Sequence, residues 1–546
     1  MSATPGSDIV RAGSLDSRLS TGCSMGHLLV RAIAAGGEEI AIRDSQRQVS
    51  YSAFGEALSK LIQALKARGF RKGDPVGILS TNRIEAFQVT CAAFIMGLRV
   101  TSLHPMASAR DQAFILRDAG IDTVFFDPRK MKSRALELRD RVGIRLLFSL
   151  GPCEGLTDVL SEAEAFDSRA LVPEADAGDI SNISYTGGTS GMPKGVVHTH
   201  RTRVTMTMTM LADWEWPAVP RLLVTTPISH AAGAMIPPVL MRAGTVILAE
   251  KFQPLAFCDL VARHRITSTF LVPTMIYKLL DIDRAQIDKL SSLEVVYYGA
   301  AAACPVRMGR ARQLFGPIFM QMYGQTEAPN CITALLRRDH SPERSTSCGR
   351  PIGSSQVAIL DERGRQVPDG EIGEMCVRGP LLMSGYWNKK DETDAVFRHG
   401  WLHTGDLAYR DSNGFMYIVG RDKDLIISGG FNVYPREVED ALMDHPSVTS
   451  AAVFGVEDAT WGEAVCAVIV LKDKNTSAAE LQQHVREQKG AIQAPKSVFF
   501  VDSIPTTALG KPDKAMLQRA YTNSTEDSSA TRRQPTTVEQ KRNKSA

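Results

Sequence analysis

The sequence predicts an α/β fold: a large N-terminal domain of α/β sheets with a β-rich subdomain, plus a small, mobile α+β C-terminal domain. Three observations carry this. From Ser52 to Tyr323, short apolar runs of strand length alternate with apolar residues at helical spacing, the signature of repeated βα units and a mostly parallel sheet. From Ser355 the rhythm becomes strand-like runs separated by Asp-Glu-Arg-Gly and Ser-Asn-Gly turns. A charged junction, Arg421 to Asp424, then precedes a second alternation of helix and strand.

In chain order, Phe54, Ala57, Leu58, Leu61 and Leu65 predict a helix over 52–68 ended by Gly69, leading to a buried strand at Val76 to Leu79. Helix 87–96, strand 100–103, helix 109–118 and strand 123–126 follow. Further strands are predicted at 221–225, 245–248, 268–271, 293–298 and 318–323. In the subdomain, 356–360, 373–378 and 415–419 read as antiparallel strands. Beyond the junction come helix 434–443, strands 448–456 and 464–471, helix 478–488 and strand 497–501. The expected organisation is a polar N-terminal tail over 1–24, a large domain over 25–420, a hinge at 421–424, a small domain over 425–521 and a disordered tail over 522–546.

Length and composition narrow the function classes. A chain of 546 residues with 44% hydrophobic content exceeds what one core usually supports. The 63 basic and 60 acidic residues leave a formal charge of only +3, with no broad attraction for nucleic acid or anionic membrane. The nine cysteines are scattered, with no Cys-x-x-Cys pair, which predicts reduced, mostly buried thiols and neither a disulfide framework nor a structural metal. With no signal-like leader and no transmembrane segment, the expected location is cytoplasmic.

Chemistry concentrates in Tyr185 to Gly195, Tyr-Thr-Gly-Gly-Thr-Ser-Gly-Met-Pro-Lys-Gly. Glycines let backbone N–H groups approach oxyanions, Thr186, Thr189 and Ser190 add donors, and Lys194 supplies a point charge. The segment suits the polyphosphate of ATP, with Gly187, Gly188 and Gly191 as the close-approach positions. A flexible connector is the plain alternative. It is not a P-loop, because Lys194 lies between Pro193 and Gly195 instead of within Gly-Lys-Ser/Thr.

Further motifs follow: Pro-Ile-Ser-His at 227–230, Tyr-Gly-Gln-Thr-Glu at 323–327, Gly-Glu at 373–374, Val-Arg-Gly-Pro at 377–380 and Thr-Gly-Asp at 404–406. Gly-Arg-Asp-Lys-Asp stands at 420–424, Gly-Phe-Asn-Val-Tyr-Pro-Arg-Glu-Val-Glu at 430–439 and Pro-Thr-Thr-Ala-Leu-Gly-Lys at 505–511. In this order and number, from about Met25 to Tyr521, the series resembles the ANL superfamily of adenylate-forming enzymes, in its acyl-CoA synthetase branch.

The resemblance implies roles residue by residue. Glu327 would contact Mg²⁺, Thr326 the α-phosphate, and Tyr323 the adenine, with Gly299, Ala300, Ala301 and Gly324 beside the nucleotide. Asp406 would accept both ribose hydroxyls and Arg421 would be the second ribose contact. Lys511 would reach the substrate carboxylate and α-phosphate during adenylation. Lys423 matches the hinge, and Gly430, preceded by Gly429, lines the route of the CoA pantetheine. His230 matches the aromatic position beside the acyl pocket, whose expected walls are Ala231, Gly233, Val272, Thr274 and Tyr298. No residue stands out as the general base for the thiol.

The expected reaction is ATP-dependent activation of a hydrophobic carboxylic acid, fatty or bulky and aromatic, followed by transfer to CoA. Residues 222–250 lack the aspartate with which amino-acid-activating relatives hold an ammonium. Leu103-His104-Pro105 departs from the family's small-residue and Asn pattern, and Gly188 replaces a serine. Two alternatives stay open: an acyl-AMP ligase that loads a carrier protein, and a non-catalytic nucleotide- or acyl-binding regulator. The expected partners are the acid, ATP and CoA, with no nucleic acid; a homodimer is left open.

Overall fold

The computed structural model describes residues 22–186, 192–458, 460–473, 475–506 and 512–525. It divides into two compact units, Met1–Val419 and Gly420–Ala546. The described residues of the first unit build three sheets. A nine-stranded sheet runs in the order Arg350–Pro351, Ala328–Leu335, Phe319–Gln325, Val295–Tyr298, Ser268–Leu271, Arg221–Val224, Thr245–Leu248, Ile40–Arg43 and Gln48–Ser50. An eight-stranded sheet runs Gly385–Tyr386, Lys194–Thr199, Ile180–Thr186, Arg99–Leu103, Pro75–Leu79, Thr123–Phe126, Leu146–Ser149 and Thr157–Asp158. Both are parallel through the middle, and antiparallel pairs occur towards their ends.

Strand alternation explains the layering. In the eight-stranded sheet, Val76, Ile78, Val100 and Phe125 face one core, while Leu79, Leu103, Val124 and Phe126 face another. In the nine-stranded sheet, Val295 and Tyr297 join the first of these cores, whereas Val296 and Tyr298 turn to the opposite side with Leu271 and Phe319. The large core between the sheets is filled by helices Met25–Gly36, Tyr51–Ala67, Ile84–Met96 and Ile236–Met241, and Ile84–Met96 is buried on nearly all sides. Helix starts follow capping chemistry: Ser50 accepts from the Ala53 N–H at 3.2 Å and Ser108 from the Asp111 N–H at 3.0 Å. Gly97, at φ +73°, ends Ile84–Met96 in the left-handed region.

The third sheet is antiparallel, in the order Gln356–Leu360, Gly373–Arg378, Trp401–Arg410 and Phe397–Arg398, with Met416–Arg421 paired to Trp401–Arg410. The second unit carries a sheet of order Phe431–Val433, Ile426–Ser428, Gly462–Leu471 and Val448–Asp458, with Ser497–Phe500 against Gly462–Leu471. Helices Pro435–Asp444 and Ala478–Lys489 cover its core with Val438, Leu442, Leu481 and Val485.

Three differences from the sequence reading stand out. The strands that flank the glycine-rich segment, Ile180–Thr186 and Lys194–Thr199, pair antiparallel, and Thr186 stands opposite Lys194. The Thr-Gly-Asp motif lies inside the long strand Trp401–Arg410, which short-range pattern did not reveal. The last helix, Lys514–Thr525, runs past the expected domain end at Tyr521. As expected, the cysteines are free thiols and most are buried. Among the described residues, no helix is long and apolar enough to cross a membrane.

Candidate active site

The hairpin delivers Thr186 and Lys194 side by side. Gly187, Gly188, Thr189, Ser190 and Gly191 lie outside the described residues. Gly195 is required by packing: a Cβ there would come within 2.8 Å of Ile183 and 3.0 Å of Tyr185. The Tyr185 hydroxyl donates to Asp118 at 2.5 Å, fixing the hairpin to helix Ala109–Asp118.

Strand Phe319–Gln325 ends in Tyr-Gly-Gln-Thr-Glu, and its side chains gather a polar cluster. Tyr386 donates its hydroxyl to Glu327 Oε1 at 2.8 Å, and the Lys194 ammonium stands 5.3 Å from the centroid of the same ring. Tyr386 therefore joins the hairpin lysine to the carboxylate. The Glu327 carbonyl accepts from the Met383 N–H at 2.8 Å, and the Thr326 carbonyl accepts from His198 Nε2 at 2.7 Å. Since a carbonyl only accepts, His198 carries its proton on Nε2; Nδ1 then accepts from Asn182 at 3.2 Å. Burial, helped by Arg203, pushes the His198 pKa down to about 4. Gly324 has no room for a side chain, as a Cβ would meet the Asn330 nitrogen at 2.4 Å.

Tyr323 donates its hydroxyl to Asp406 Oδ2 at 2.5 Å. Asp406 is only 5% exposed, and the contact brings the aromatic and the carboxylate of two separate motifs together within the first unit. Gly299, Ala300 and Ala301 follow strand Val295–Tyr298. Gly299 passes so close to the neighbouring strand that a Cβ would lie 2.4 Å from the Met322 carbonyl, and Ala300 adopts φ +65°, a left-handed backbone that costs an alanine about 1 kcal/mol or more.

The Pro-Ile-Ser-His turn is held by Asn82. Its amide donates to the carbonyls of Thr226 and Ala249, both at 2.9 Å, and its oxygen accepts from the Ile228 N–H at 2.9 Å. His230 packs edge-on against His104, with ring centroids 4.7 Å apart, and its Nδ1 meets the Ser229 hydroxyl at 2.8 Å. Burial and the neighbouring His104 push the His230 pKa down to about 4, so the ring is neutral at pH 7. Ala231 and Val272 are half-buried, and Thr274 is exposed at the start of helix Pro273–Leu279.

Two expected acyl-pocket residues have packing roles. A Cβ on Gly233 would lie 1.9 Å from the Ile228 carbonyl oxygen, so this glycine serves the tight turn after His230. Tyr298 is 2% exposed in the core on the far side of the sheet, its hydroxyl bonded to Gln321 at 3.1 Å and His340 at 3.0 Å. Alternation along Val295–Tyr298 sends it there, which corrects its reading as a pocket wall.

In the second unit, Arg421 closes strand Met416–Arg421 and Lys423 is exposed in the turn Asp422–Asp424. Gly429 and Gly430, at φ +60° and +82°, form a two-residue hairpin turn between Ile426–Ser428 and Phe431–Val433. A Cβ on Gly429 would come within 3.1 Å of Trp461, whereas one on Gly430 would meet open space among the described residues. Lys511 lies outside the described residues.

Asn82, His198 and Tyr386 escaped the sequence reading because each acts through a partner distant in the chain, with no motif of its own. His104 was visible only as a departure from pattern, and Glu374 only as part of the Gly-Glu pair.

Known proteins place the chain in a family. The AMP-binding enzyme family matches residues 29–387, and the AMP-binding enzyme C-terminal domain matches residues 437–511. The chain is 45% identical over 512 residues to the medium/long-chain-fatty-acid–CoA ligase FadD8 of Mycobacterium tuberculosis (strain ATCC 25618 / H37Rv), covering 91% of this chain and 90% of that one. It is 33% identical to a feruloyl-CoA synthase of Amycolatopsis sp, over 91% and 99% of the two chains. Among solved structures, amide bond synthetase McbA from Marinactinospora thermotolerans superposes with a TM-score of 0.84 at 34% identity, over 91% of this chain and 100% of that one. Motifs, fold and relatives thus converge: the chain belongs to the AMP-binding enzymes, among the CoA ligases of the ANL superfamily.

Proposed function

We propose that this protein is an AMP-forming acid–thiol ligase: it activates a hydrophobic carboxylic acid with ATP as an acyl adenylate, releasing pyrophosphate, and then passes the acyl group to CoA, releasing AMP. The observation that carries the reading is the cluster in which Tyr386 links Lys194, the first residue of the strand that follows the glycine-rich segment, to Glu327, close in sequence to a Tyr323 that grips Asp406. A polyphosphate needs donors and a cation, and a ribose needs a carboxylate acceptor; the cluster offers both.

In this reading Thr186, Gly187, Gly188, Thr189, Ser190, Gly191 and Lys194 bind the phosphates. Tyr323 packs on the adenine beside Gly299, Ala300, Ala301 and Gly324. Asp406 and Arg421 take the ribose hydroxyls, and Thr326 the α-phosphate. Lys511 steadies the substrate carboxylate as its oxygen attacks the α-phosphorus and pyrophosphate departs. The Glu327 carboxylate is a hard oxygen donor set beside the lysine of the hairpin, a chemistry that fits Mg²⁺, which when bound neutralises phosphate charge. Lys423 is the hinge, and the Gly429–Gly430 turn offers pantetheine a surface without side chains. Neutral His230, Ala231 and Val272 present no charge to the acid, which supports a hydrophobic acyl group.

CoA is favoured as acceptor because the 45% identical relative over 91% of the chain is a CoA ligase. The test is pyrophosphate and AMP release with a panel of fatty and aryl acids, each with CoA, with an amine, or with neither acceptor. Acid-dependent pyrophosphate release accompanied by consumption of CoA is expected. Consumption of amine but not CoA would replace CoA as acceptor, and absence of pyrophosphate release with every acid would overturn the reading. Lys511→Ala should lower adenylation by about 10²–10³.

A further inference from the structure

Strands Gly373–Arg378 and Trp401–Arg410 pair in register at Glu374 with Leu407 and at Cys376 with His403. Between these pairs, Thr404, Gly405 and Asp406 stand opposite the single residue Met375, so the Thr-Gly-Asp motif is a bulge. A bulge strips backbone groups of their ladder partners, and here side chains replace them. The Thr404 hydroxyl donates to the Met375 carbonyl at 2.6 Å and accepts from the Asp406 N–H at 3.1 Å. The Gly405 N–H donates to Glu374 Oε1 at 2.8 Å. Gly405 is at φ +72°, a backbone that glycine accepts without strain.

Glu374 is itself held. His403 Nδ1 lies 2.6 Å from Oε2, and Arg398 Nη2 lies 3.4 Å from the same oxygen. A carboxylate only accepts, so Nδ1 donates in this contact, while Nε2 is buried and without a partner among the described residues. Cys376 Sγ, 3.4 Å from Nδ1, completes a Glu–Cys–His group of metal-ligand type. Arg398 already brings a cation to it, and burial pushes the thiol up to about 12, so the group is better suited to holding a carboxylate than a metal ion.

We propose that Glu374 is the positioning residue of the ribose site: held by His403 and Arg398, it takes the N–H that the bulge frees at Gly405 and thereby aims the Asp406 carboxylate. This rests on the reading that Asp406 binds the ribose. Asp406 cannot move independently of the bulge, because its own N–H is tied to Thr404 and its Oδ2 accepts the Tyr323 hydroxyl at 2.5 Å.

The test compares pyrophosphate release with ATP and with 2′-deoxy-ATP in the full-length enzyme. Glu374→Asp keeps the charge but shortens the reach, and should lower the preference for ATP by about tenfold, raising KM for ATP and leaving KM for the acid unchanged. Glu374→Gln keeps the reach and loses the charge; its carbonyl oxygen serves the Gly405 N–H and its NH2 donates to His403 Nδ1 in the other imidazole tautomer, so the preference should be retained. A role confined to the ion pair predicts the reverse order, and that result, or an aspartate variant with wild-type preference, overturns the proposal. Should the aspartate variant not fold, the glutamine variant decides alone: retained preference supports the proposal and lost preference overturns it. Asp406→Ala separates the two readings, since an unchanged ATP preference there overturns the ribose assignment itself, whatever Glu374 does.

Discussion

At the scale of single residues, the candidate site depends on polar contacts that each have one clear donor. Tyr386 serves Glu327 through its hydroxyl and Lys194 through its ring face, so Tyr386→Phe removes one contact and keeps the other. The expected outcome is a roughly tenfold to hundredfold loss of pyrophosphate release, the value of one hydrogen bond to a charged group, whereas Glu327→Ala should cost about 10²–10³. Steady-state rates at saturating acid check both, and a Tyr386→Phe rate equal to the unmodified enzyme's would show that the ring and not the hydroxyl matters. Glu327, Tyr323 and Asp406 were legible in the sequence because they stand in contiguous motifs. Tyr386, His198 and Asn82 were not, because a hydrogen bond between residues far apart in the chain leaves no local pattern.

Among elements, the turns are fixed by backbone crowding more than by composition. Gly233→Ala would set a methyl 1.9 Å from the Ile228 carbonyl, and the Pro-Ile-Ser-His turn, already pinned by Asn82, has little freedom to yield. A loss of about 1–3 kcal/mol in unfolding free energy is expected, read as a lower thermal midpoint. Gly430→Ala differs, since only its left-handed backbone opposes a side chain: it should cost about 1 kcal/mol in stability yet slow CoA consumption far more than pyrophosphate release. Comparison of the two half-reactions checks this, and parallel losses would remove Gly430 from the pantetheine route. The same crowding fixes Gly233, read from sequence as a pocket residue, within the turn.

Across the whole molecule, buried histidines set the response to acid. His198, His200, His230 and His340 have pKa values pushed down to about 4, in each case chiefly by burial. Their ordinary value in an unfolded chain is about 6.5, so on acidification the unfolded state takes up protons first. Stability is therefore complete above about pH 6.5 and falls as the pH drops from there towards 4. The thermal midpoint should hold between about pH 7 and 8 and decline steadily below about 6.5. His200 accepts the Met25 N–H on Nδ1 at 3.3 Å, a bond whose acceptor an asparagine oxygen can replace; His200→Asn should therefore flatten the decline. An unchanged slope would assign the acid sensitivity to the other histidines or to carboxylates.

The sequence alone determined the layered α/β architecture and its antiparallel appendage, because apolar periodicity and turn residues are local properties. It also determined the family, through motifs whose residues are adjacent in the chain. Tertiary structure decided that the strands flanking the glycine-rich segment pair with each other, that Tyr298 faces the rear core, and that the Thr-Gly-Asp motif is a bulge braced by Glu374. Each of these depends on strand partners or on which side of a sheet a side chain meets, and those are set by long-range packing that no short window of sequence records.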